Sequence, residues 1–443
     1  MTLALEVLGW VIFLIGIGFS IGLHEIGHLL PAKAFGVKVT QYMVGFGPTV
    51  WSRHKGETEY GVKAVPLGGY IRMIGMYPPA PGTDGTMLRA STTGRFTNLI
   101  NDARQQSLEE ITPDAVDRVF YKLPVRKRIV VMLGGPTTNL VLAFILFTIV
   151  LCGIGIQGAT TKVGAVVPCV PTATNLDGSK GAAGTCVPST PSPAVAGGLQ
   201  VGDTIVSIGG TRVSTWAEEQ AAIKAAPAGD VPFVVQREGR EVTLTVPVAT
   251  AKRPVYDANG NDTGTTETRN FVGIAPALER QTVPVSTVPG YVWNLTTASV
   301  QKIVTLPARM WDLMRQTFTS EPRDRNGIVG IVGAGRITGE AVALQDTPVL
   351  DKTAFVLGLL AGLNLFLFLF NLIPLLPLDG GHVAGAIWES IKRGWARVRH
   401  RPDPGPVDIA KALPLTYAMS IALVLMGAIT VMADLIKPIT LGG

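Results

Sequence analysis

Four long stretches of the sequence carry no charged side chain, and they constrain this chain more than any other feature. They cover residues 7–23, 129–156, 354–378 and 413–433, and charged residues make up only 16% of the 443 residues. A soluble globular chain contains about 25% charged residues, and a helix needs about 20 apolar residues to cross a membrane. Buried core helices are the alternative. Four uncharged runs of spanning length, each bounded by charge, Gly or Pro, instead favour an integral membrane protein with four transmembrane helices.

The first run also differs from a secretory signal peptide. It lacks a basic start and a small-residue cleavage site, so we expect it to remain as the first transmembrane helix.

The basic residues predict the orientation of these spans. Between the third and fourth runs, five of them lie within ten residues of one another, at Lys392, Arg393, Arg397, Arg399 and Arg401, and basic loops face the cytoplasm. Alternation places residues 32–127 in the cytoplasm and both termini outside, together with the long segment between the second and third runs. The net charge of +6 is then an orientation signal, and we expect no nucleic-acid partner.

The outer segment contains short apolar runs between Gly-rich turns, a pattern typical of a β-rich domain. Residues 192–210, which read SPAVAGGLQVGDTIVSIGG, resemble the bacterial PDZ signature. A PDZ domain would bind an extended peptide as an added strand, and a β-domain that binds nothing is the alternative. Cys169 and Cys186 could form a disulfide in an oxidising compartment, and their spacing alone leaves that question open.

His24, Glu25 and His28 form an H-E-x-x-H motif at the end of the first apolar run. On a helix, residues four apart share a face, so both imidazoles can bind one zinc ion beside Glu25 as general base. The motif alone is weak support. Ionisable residues at membrane depth are costly and indicate function, whereas the alternative is an interfacial helix end without a metal.

A third zinc ligand is expected at the end of the third run, in residues 371–382, NLIPLLPLDGGH. Asp379 follows about 25 uncharged residues, and two prolines predict a kinked or unwound helix before it. Both the first and third spans run inward, so His28 and Asp379 should meet near one membrane face. His382 is left out because a catalytic zinc site keeps one position for water.

With these motifs the chain resembles the site-2 protease family of intramembrane zinc metalloproteases, in the bacterial branch that includes the regulator-of-sigma-E proteases. The family pattern is H-E-x-x-H in one span, N-x-x-P-x-P-x-x-D-G in a later span, and a PDZ insertion between them. Asn371, Pro374, Asp379 and Gly380 match the second motif, while Pro377 is displaced by one residue.

The resemblance implies zinc ligands at His24, His28 and Asp379, a general base at Glu25 and a substrate-binding amide at Asn371. It also implies a membrane-reentrant β-sheet within residues 32–127. Residues 134–139, GGPTTN, resemble the family's G-x-x-N segment.

We therefore predict a multi-pass α-helical membrane protein with a cytoplasmic membrane-associated β-sheet and an extracytoplasmic PDZ-like domain. The four predicted transmembrane helices cover residues 1–31, 128–156, 354–380 and 413–436. On the cytoplasmic side we expect a segment at 32–127 and a basic loop at 381–412. On the outer side we expect a PDZ-like domain at 163–250, followed by a region with an amphipathic helix at 251–353.

The predicted function is a Zn²⁺-dependent intramembrane endopeptidase in a bacterial plasma membrane, with its active site near the cytoplasmic side. By resemblance, its partners besides the lipid bilayer are single-span membrane proteins such as anti-sigma factors, with remnant signal peptides as a second class. Two alternatives stay open: a membrane-anchored zincin acting on soluble substrates, and a catalytically silent scaffold that binds peptides through its PDZ-like domain.

Overall fold

The computed structural model describes residues 2–78, 111–168, 191–256 and 262–441, and these form two compact units. One unit contains the described residues up to 154 and from 283 onward, and the other contains those between 155 and 282. Cys169 and Cys186 lie outside the described residues, so the expected disulfide stays a prediction.

The described helices, in chain order, are α1 (Thr2–Ala34), α2 (Val125–Thr148), α3 (Pro193–Ala196), α4 (Trp216–Ala225), α5 (Val288–Val304), α6 (Leu306–Phe318), α7 (Ile331–Ala343), α8 (Val349–Asn371), α9 (Asp379–Val398) and α10 (Leu413–Ile436). The described strands are β1 (Val39–Lys55), β2 (Thr58–Met73), β3 (Ile156–Val166), β4 (Thr204–Ile208), β5 (Thr211–Arg212), β6 (Gly229–Arg237), β7 (Arg240–Tyr256), β8 (Asp262–Phe271) and β9 (Ile274–Gln281).

Four helices in the described chain are long and apolar enough to span a membrane, which confirms the number predicted from the uncharged runs. They cover Thr2–Ala34, Val125–Ile154, Val349–Asn371 and Ile409–Ile436. Many of their large apolar side chains are exposed, as expected of helices whose surroundings are lipid tails.

The third apolar run is not one continuous helix. The predicted span ran to residue 380, but α8 ends at Asn371 and α9 begins at Asp379. Pro374 and Pro377 lie between them, and proline removes a backbone donor and clashes with the preceding turn of a helix. The region predicted as a basic loop at 381–412 also differs, because α9 occupies its first half.

Small residues bring the helices of the first unit together. A Cβ added to Gly9 of α1 would lie 2.7 Å from Cα of Gly339 in α7, and one added to Gly27 would lie 2.7 Å from the carbonyl carbon of Gly134 in α2. Glycine at such crossings lets backbones touch, which is how helices gain packing contacts in lipid. α1 therefore packs directly against both α7 and α2.

Strands β1 and β2 form an irregular antiparallel sheet beside α1. Gln41 lies opposite both Glu59 and Arg72, so the first half of β1 is the centre of the sheet and the end of β2, residues 69–73, forms an outer arm. The hydroxyl of Tyr42 donates to the carbonyl of Gly22 in α1 at 2.8 Å. This contact fixes the sheet against the helix that carries the H-E-x-x-H motif.

The second unit is built on a β-sheet with the strand order β8-β7-β6-β4-β3-β9, and β5 pairs with β4. Its core consists of alternating side chains from these strands, such as Phe233, Val235 and Val246, all buried. The PDZ-like domain was predicted for 163–250, but the sheet begins earlier, at Ile156, and also includes β8 and β9. β9 pairs with β3, a pairing between distant segments that the local sequence pattern does not show.

The predicted amphipathic helix after this domain is two helices. α5 ends at Val304 and α6 begins at Leu306, with Pro307 in the first turn of α6. Proline is tolerated in the first turn of a helix but not inside one, so it starts a new helix.

Glu219 in α4 is a buried carboxyl group, and its Oε2 has no hydrogen-bond partner among the described residues. Burial raises its pKa to about 8, because an apolar environment disfavours the charged form. Since its folded-state pKa lies above the ordinary value of 4.5, its contribution to stability is greatest at low pH and declines as the pH rises toward 8.

We expect Glu219→Gln to leave the stability of the second unit nearly unchanged at about pH 5 and to increase it at about pH 9, where the carboxylate must be charged while buried. The measurement is the protection of β6 amides against hydrogen exchange in the full-length protein, corrected for the intrinsic rate. Glu218→Gln is the matched control. Hydrogen bonds from Ser214 lower the pKa of Glu218, so loss of this carboxylate should destabilise the second unit at neutral pH. Equal effects of Glu219→Gln at both pH values would contradict the assignment.

Candidate metal centre

The H-E-x-x-H motif lies in the last three turns of α1, where the apolar helix reaches the β1–β2 sheet. His28 and Glu25 are buried, and His24 is half-buried. The rings of His24 and His28 are one helical turn apart, with centroids separated by 4.8 Å. A helix therefore places both imidazoles on one face, as the spacing predicted.

Asp379 reaches the same point from α9, of which it is the first residue. Glycines set its position: a Cβ on Gly380 would lie 2.5 Å from the carbonyl oxygen of Leu372, and one on Gly381 would lie 2.5 Å from the amide nitrogen of Leu376. The N-terminal end of a helix also favours a carboxylate electrostatically. The D-G-G sequence thus allows α9 to begin tightly against the segment that follows α8.

Three donor atoms from these helices form a nearly equilateral triangle. Nε2 of His24 and Nε2 of His28 are 3.2 Å apart, and Oδ2 of Asp379 lies 3.4 Å from the first and 3.3 Å from the second. With metal bonds of about 2.0 Å, ligands at the corners of a tetrahedron around zinc are separated by about 3.3 Å. The spacing of the three atoms fits one zinc ion.

The surroundings of the carboxylate also fit a metal ion. Oδ2 of Asp379 is buried, and its neighbours at 3.4 and 3.3 Å are Nε2 of His24 and Nε2 of His28. A buried carboxylate needs a positive partner, and a cation at the centre of the triangle would supply one while both imidazoles stay neutral. Among the described residues, His24, His28 and Asp379 form a group able to hold a metal.

The outer nitrogens of both rings contact α2. Nδ1 of His28 donates to the carbonyl of Val131 at 2.8 Å, which leaves Nε2 with a free lone pair. Nδ1 of His24 lies 3.1 Å from the side-chain amide of Asn139. The amide oxygen of Asn139 is otherwise buried without a partner in the described chain, and turning the amide lets that oxygen accept Nδ1–H of His24. α2 thus orients both histidines.

Close packing of α2 makes these contacts possible. A Cβ on Gly135 would lie 2.8 Å from Cε1 of His24 and 2.7 Å from Cδ2 of His28. Only a residue without a side chain leaves room for both rings at that point.

Glu25 lies between the two histidines in sequence and faces the outer arm of the sheet. Its side chain is close to Gly69, where an added Cβ would be 2.9 Å from Cγ of Glu25. The outer arm of β2 therefore passes directly beside the carboxylate.

The other two residues considered in the sequence analysis lie close to this group in the chain. Asn371 is the last residue of α8 and is half-buried, eight positions before Asp379. Its expected role as a substrate-binding amide stays a prediction. His382 is one turn after Asp379 in α9, and it is not among the three residues that could share a metal.

No role was predicted from the sequence for Val131, Gly135 or Asn139. For Asn139 a signal existed, because it ends the G-x-x-N-like segment. Val131 makes its contact through the backbone carbonyl, which every residue type has, so the sequence does not reveal it.

Comparisons with known proteins agree with this site. The sequence profile of peptidase family M50 matches residues 12–401. The protein named zinc metalloprotease Rip1 of Mycobacterium bovis (strain BCG / Pasteur 1173P2) is 33% identical over 448 residues, covering 98% of this chain and 99% of that protein. Metalloprotease MmpA of Caulobacter vibrioides is 28% identical over 87% of this chain and 88% of its own length. Zinc metalloprotease RasP of Shouchella clausii is 25% identical over 83% of this chain and 87% of its own length.

The expected family is therefore confirmed, and with it the expected class of enzyme and its metal. The family profile covers most of the chain, and a relative above 30% identity covers nearly all of it. The chain belongs to peptidase family M50, the site-2 protease family of zinc metalloproteases.

Proposed function

We propose that this protein is an intramembrane endopeptidase that cuts the membrane-spanning segment of single-span membrane proteins, with zinc held by His24, His28 and Asp379. The observation that carries the proposal is the donor triangle between the last turns of the apolar helix α1 and the first residue of α9, with distances of 3.2 to 3.4 Å. Hydrolytic groups at the depth of transmembrane helices are suited to a substrate that is itself in the membrane.

The chemistry divides between the metal and the chain. When bound, zinc supplies a Lewis acid that polarises a carbonyl and lowers the pKa of a water ligand. Glu25 is buried beside both histidines, takes the proton from the attacking water and delivers it to the leaving amine. The Val131 carbonyl and the Asn139 amide hold the two rings so that Nε2 of each faces the metal position.

A substrate helix must become extended before its carbonyl is accessible, because helical hydrogen bonds cover the backbone. The outer arm of β2, residues 69–73, can restore those hydrogen bonds by pairing with the extended segment. Gly69 in this arm lies against Glu25, so a strand paired there would run beside the general base. Asn371 is a further candidate for binding the extended segment through its side-chain amide.

We infer that the active site faces the cytoplasmic side of a bacterial plasma membrane, because the basic residues after α8 and at the start of α2 favour that orientation. The second unit would then be an extracytoplasmic PDZ-like domain that filters or docks substrates. β9 supports this role, since it ends the described sheet and pairs there only with β3, which leaves one edge for an added peptide strand. By family resemblance, the substrates are anti-sigma factors, with remnant signal peptides as a second class.

Glu25→Gln should lower the cleavage of a model single-span substrate at least 100-fold, since the general base is lost, while about one zinc per chain stays bound. The measurements are gel-based cleavage in detergent and metal analysis of the same samples. His24→Ala should lose both zinc and activity. Undiminished cleavage by Glu25→Gln would refute the mechanism, and an absence of chelator-sensitive cleavage of any single-span substrate would favour the scaffold alternative.

Asn139→Ala should weaken zinc binding about 10- to 100-fold, because the ring of His24 loses the group that orients it. Competition with a chromophoric chelator measures the affinity. Asn364→Ala is the matched control: its buried amide donates to Ser20 across two helices at 2.9 Å, so its loss should lower thermal stability without a selective loss of zinc. Equal zinc affinities in wild type and Asn139→Ala would refute the positioning role.

Gly135→Ala should lower the zinc content per chain, because the added methyl group would overlap both histidine rings. Gly358→Ala in α8 adds the same group where no heavy atom lies within 4 Å, so it should keep full zinc. Metal analysis after gel filtration compares the two folded variants. A Gly135→Ala protein with the zinc content of wild type would show that the helix crossing does not set the site.

A further inference from the structure

The outward face of α9 is apolar, which is the reverse of a helix on a water-exposed surface. Glu389, Ala386 and Ala396 are buried on its inner side. The residues at helical spacing on the opposite side are between 47% and 76% exposed: Ile387, Trp388, Ile391, Trp395 and Val398. A surface helix normally turns its charged residues outward, so this face is built for an apolar environment.

Buried charges fix the rotation of α9 and keep this face outward. Arg128 at the start of α2 forms a buried ion pair with Glu389. Arg393 also contacts Glu389 at 3.2 Å, and the amide of Val407 donates to it at 3.0 Å. Turning the apolar face inward would leave buried charges without partners, which costs several kcal/mol.

Basic side chains border the apolar face on both sides. At 100° per residue, Lys392 and Arg399 lie along one border and Arg397 lies along the other, and all three are exposed. The guanidinium of Arg399 stacks on the ring of Trp395 at 4.4 Å. The acidic residues of the helix, Asp379 and Glu389, both belong to its inner contacts, so the exposed face is apolar and cationic.

The position of α9 also ties it to the bilayer. It follows α8, which is apolar enough to span a membrane, after a connection of only seven residues, 372–378. Its start is therefore held near the membrane boundary. Amphipathic helices with Trp and basic residues at such a position lie in the headgroup region, where Trp rings are also enriched.

We propose that α9 lies in the surface layer of the bilayer, with its apolar face among the upper acyl chains and its basic borders on anionic phospholipid headgroups. The binding partner of the exposed face is therefore an anionic lipid surface. Since Asp379 is the first residue of α9, these lipids hold the helix that supplies the third donor of the metal centre.

The first test measures how deep the face is inserted. Full-length protein with its three cysteines replaced by alanine receives Ile391→Cys or, as the matched control, Ser390→Cys, which is also exposed but lies a quarter-turn away. Both are labelled with an environment-sensitive fluorophore and placed in nanodiscs containing acyl-brominated lipids. We expect clear quenching at position 391 and much less at 390. Equal quenching at both positions would overturn the proposal.

The second test measures headgroup preference as brominated phosphatidylglycerol replaces brominated phosphatidylcholine in the nanodiscs. Lys392→Gln and Arg399→Gln should each lower the relative association of phosphatidylglycerol about fivefold, as expected for one basic residue at an anionic surface. The control is Lys224→Gln with Arg240→Gln, two exposed residues of the second unit, which should leave the preference unchanged.

A preference that survives Lys392→Gln with Arg399→Gln would refute the proposed role of the basic borders. Efficient cross-linking between Ile391→Cys protomers, together with absence of lipid quenching, would overturn the proposal. It would show that the face contacts a second copy of the chain instead of lipid. Neither test depends on proteolysis, so failure here is distinguishable from failure of the proposed function.

Discussion

The crossing of α1 and α2 at Gly27 and Gly134 is the contact on which the metal centre depends. Without side chains at these positions and at Gly135, the two backbones approach until the rings of His24 and His28 touch α2. In lipid, no hydrophobic force drives helices together, and close packing of small residues takes its place. The same glycines that join the helices therefore bring the histidine nitrogens to the Val131 carbonyl and the Asn139 amide.

Two buried ion pairs in this unit each join two elements. Arg128 and Glu389 connect α2 to α9, while Arg323 and Asp434 connect the segment after α6 to α10 at 2.7 Å. Asp434 also accepts from the amide of Gly333 in α7. Because removing one partner from a buried pair leaves an uncompensated charge, these pairs specify which helices are neighbours and how each is rotated. Asp379 differs from them, since its buried oxygen faces Nε2 of His24 and Nε2 of His28 instead of an arginine.

The local sequence pattern predicted those parts that depend on neighbouring residues. The four uncharged runs were sufficient to predict the number of apolar helices. The i, i+4 spacing was sufficient to predict that His24 and His28 share a helix face. That Asp379 reaches the same point followed from the predicted topology, in which the first and third spans run in the same direction and end at one membrane face. Contacts between distant segments were not predictable in this way: the pairing of β9 with β3 and the partner of Asp434 both join residues about 100 or more positions apart.

The description of 381–412 as a basic loop shows why charge alone can mislead. The basic residues are there, but the apolar ones between them recur at helical spacing, and the structure forms α9. A cluster of positive charge reports the side of the membrane without reporting secondary structure. Once Glu389 is paired with Arg128, the rotation of α9 is fixed, and its apolar residues can only face away from the protein. The buried ion pair thus determines which face of α9 meets the membrane. Because Asp379 is the first residue of the same helix, contact between α9 and the membrane also affects the position of Asp379.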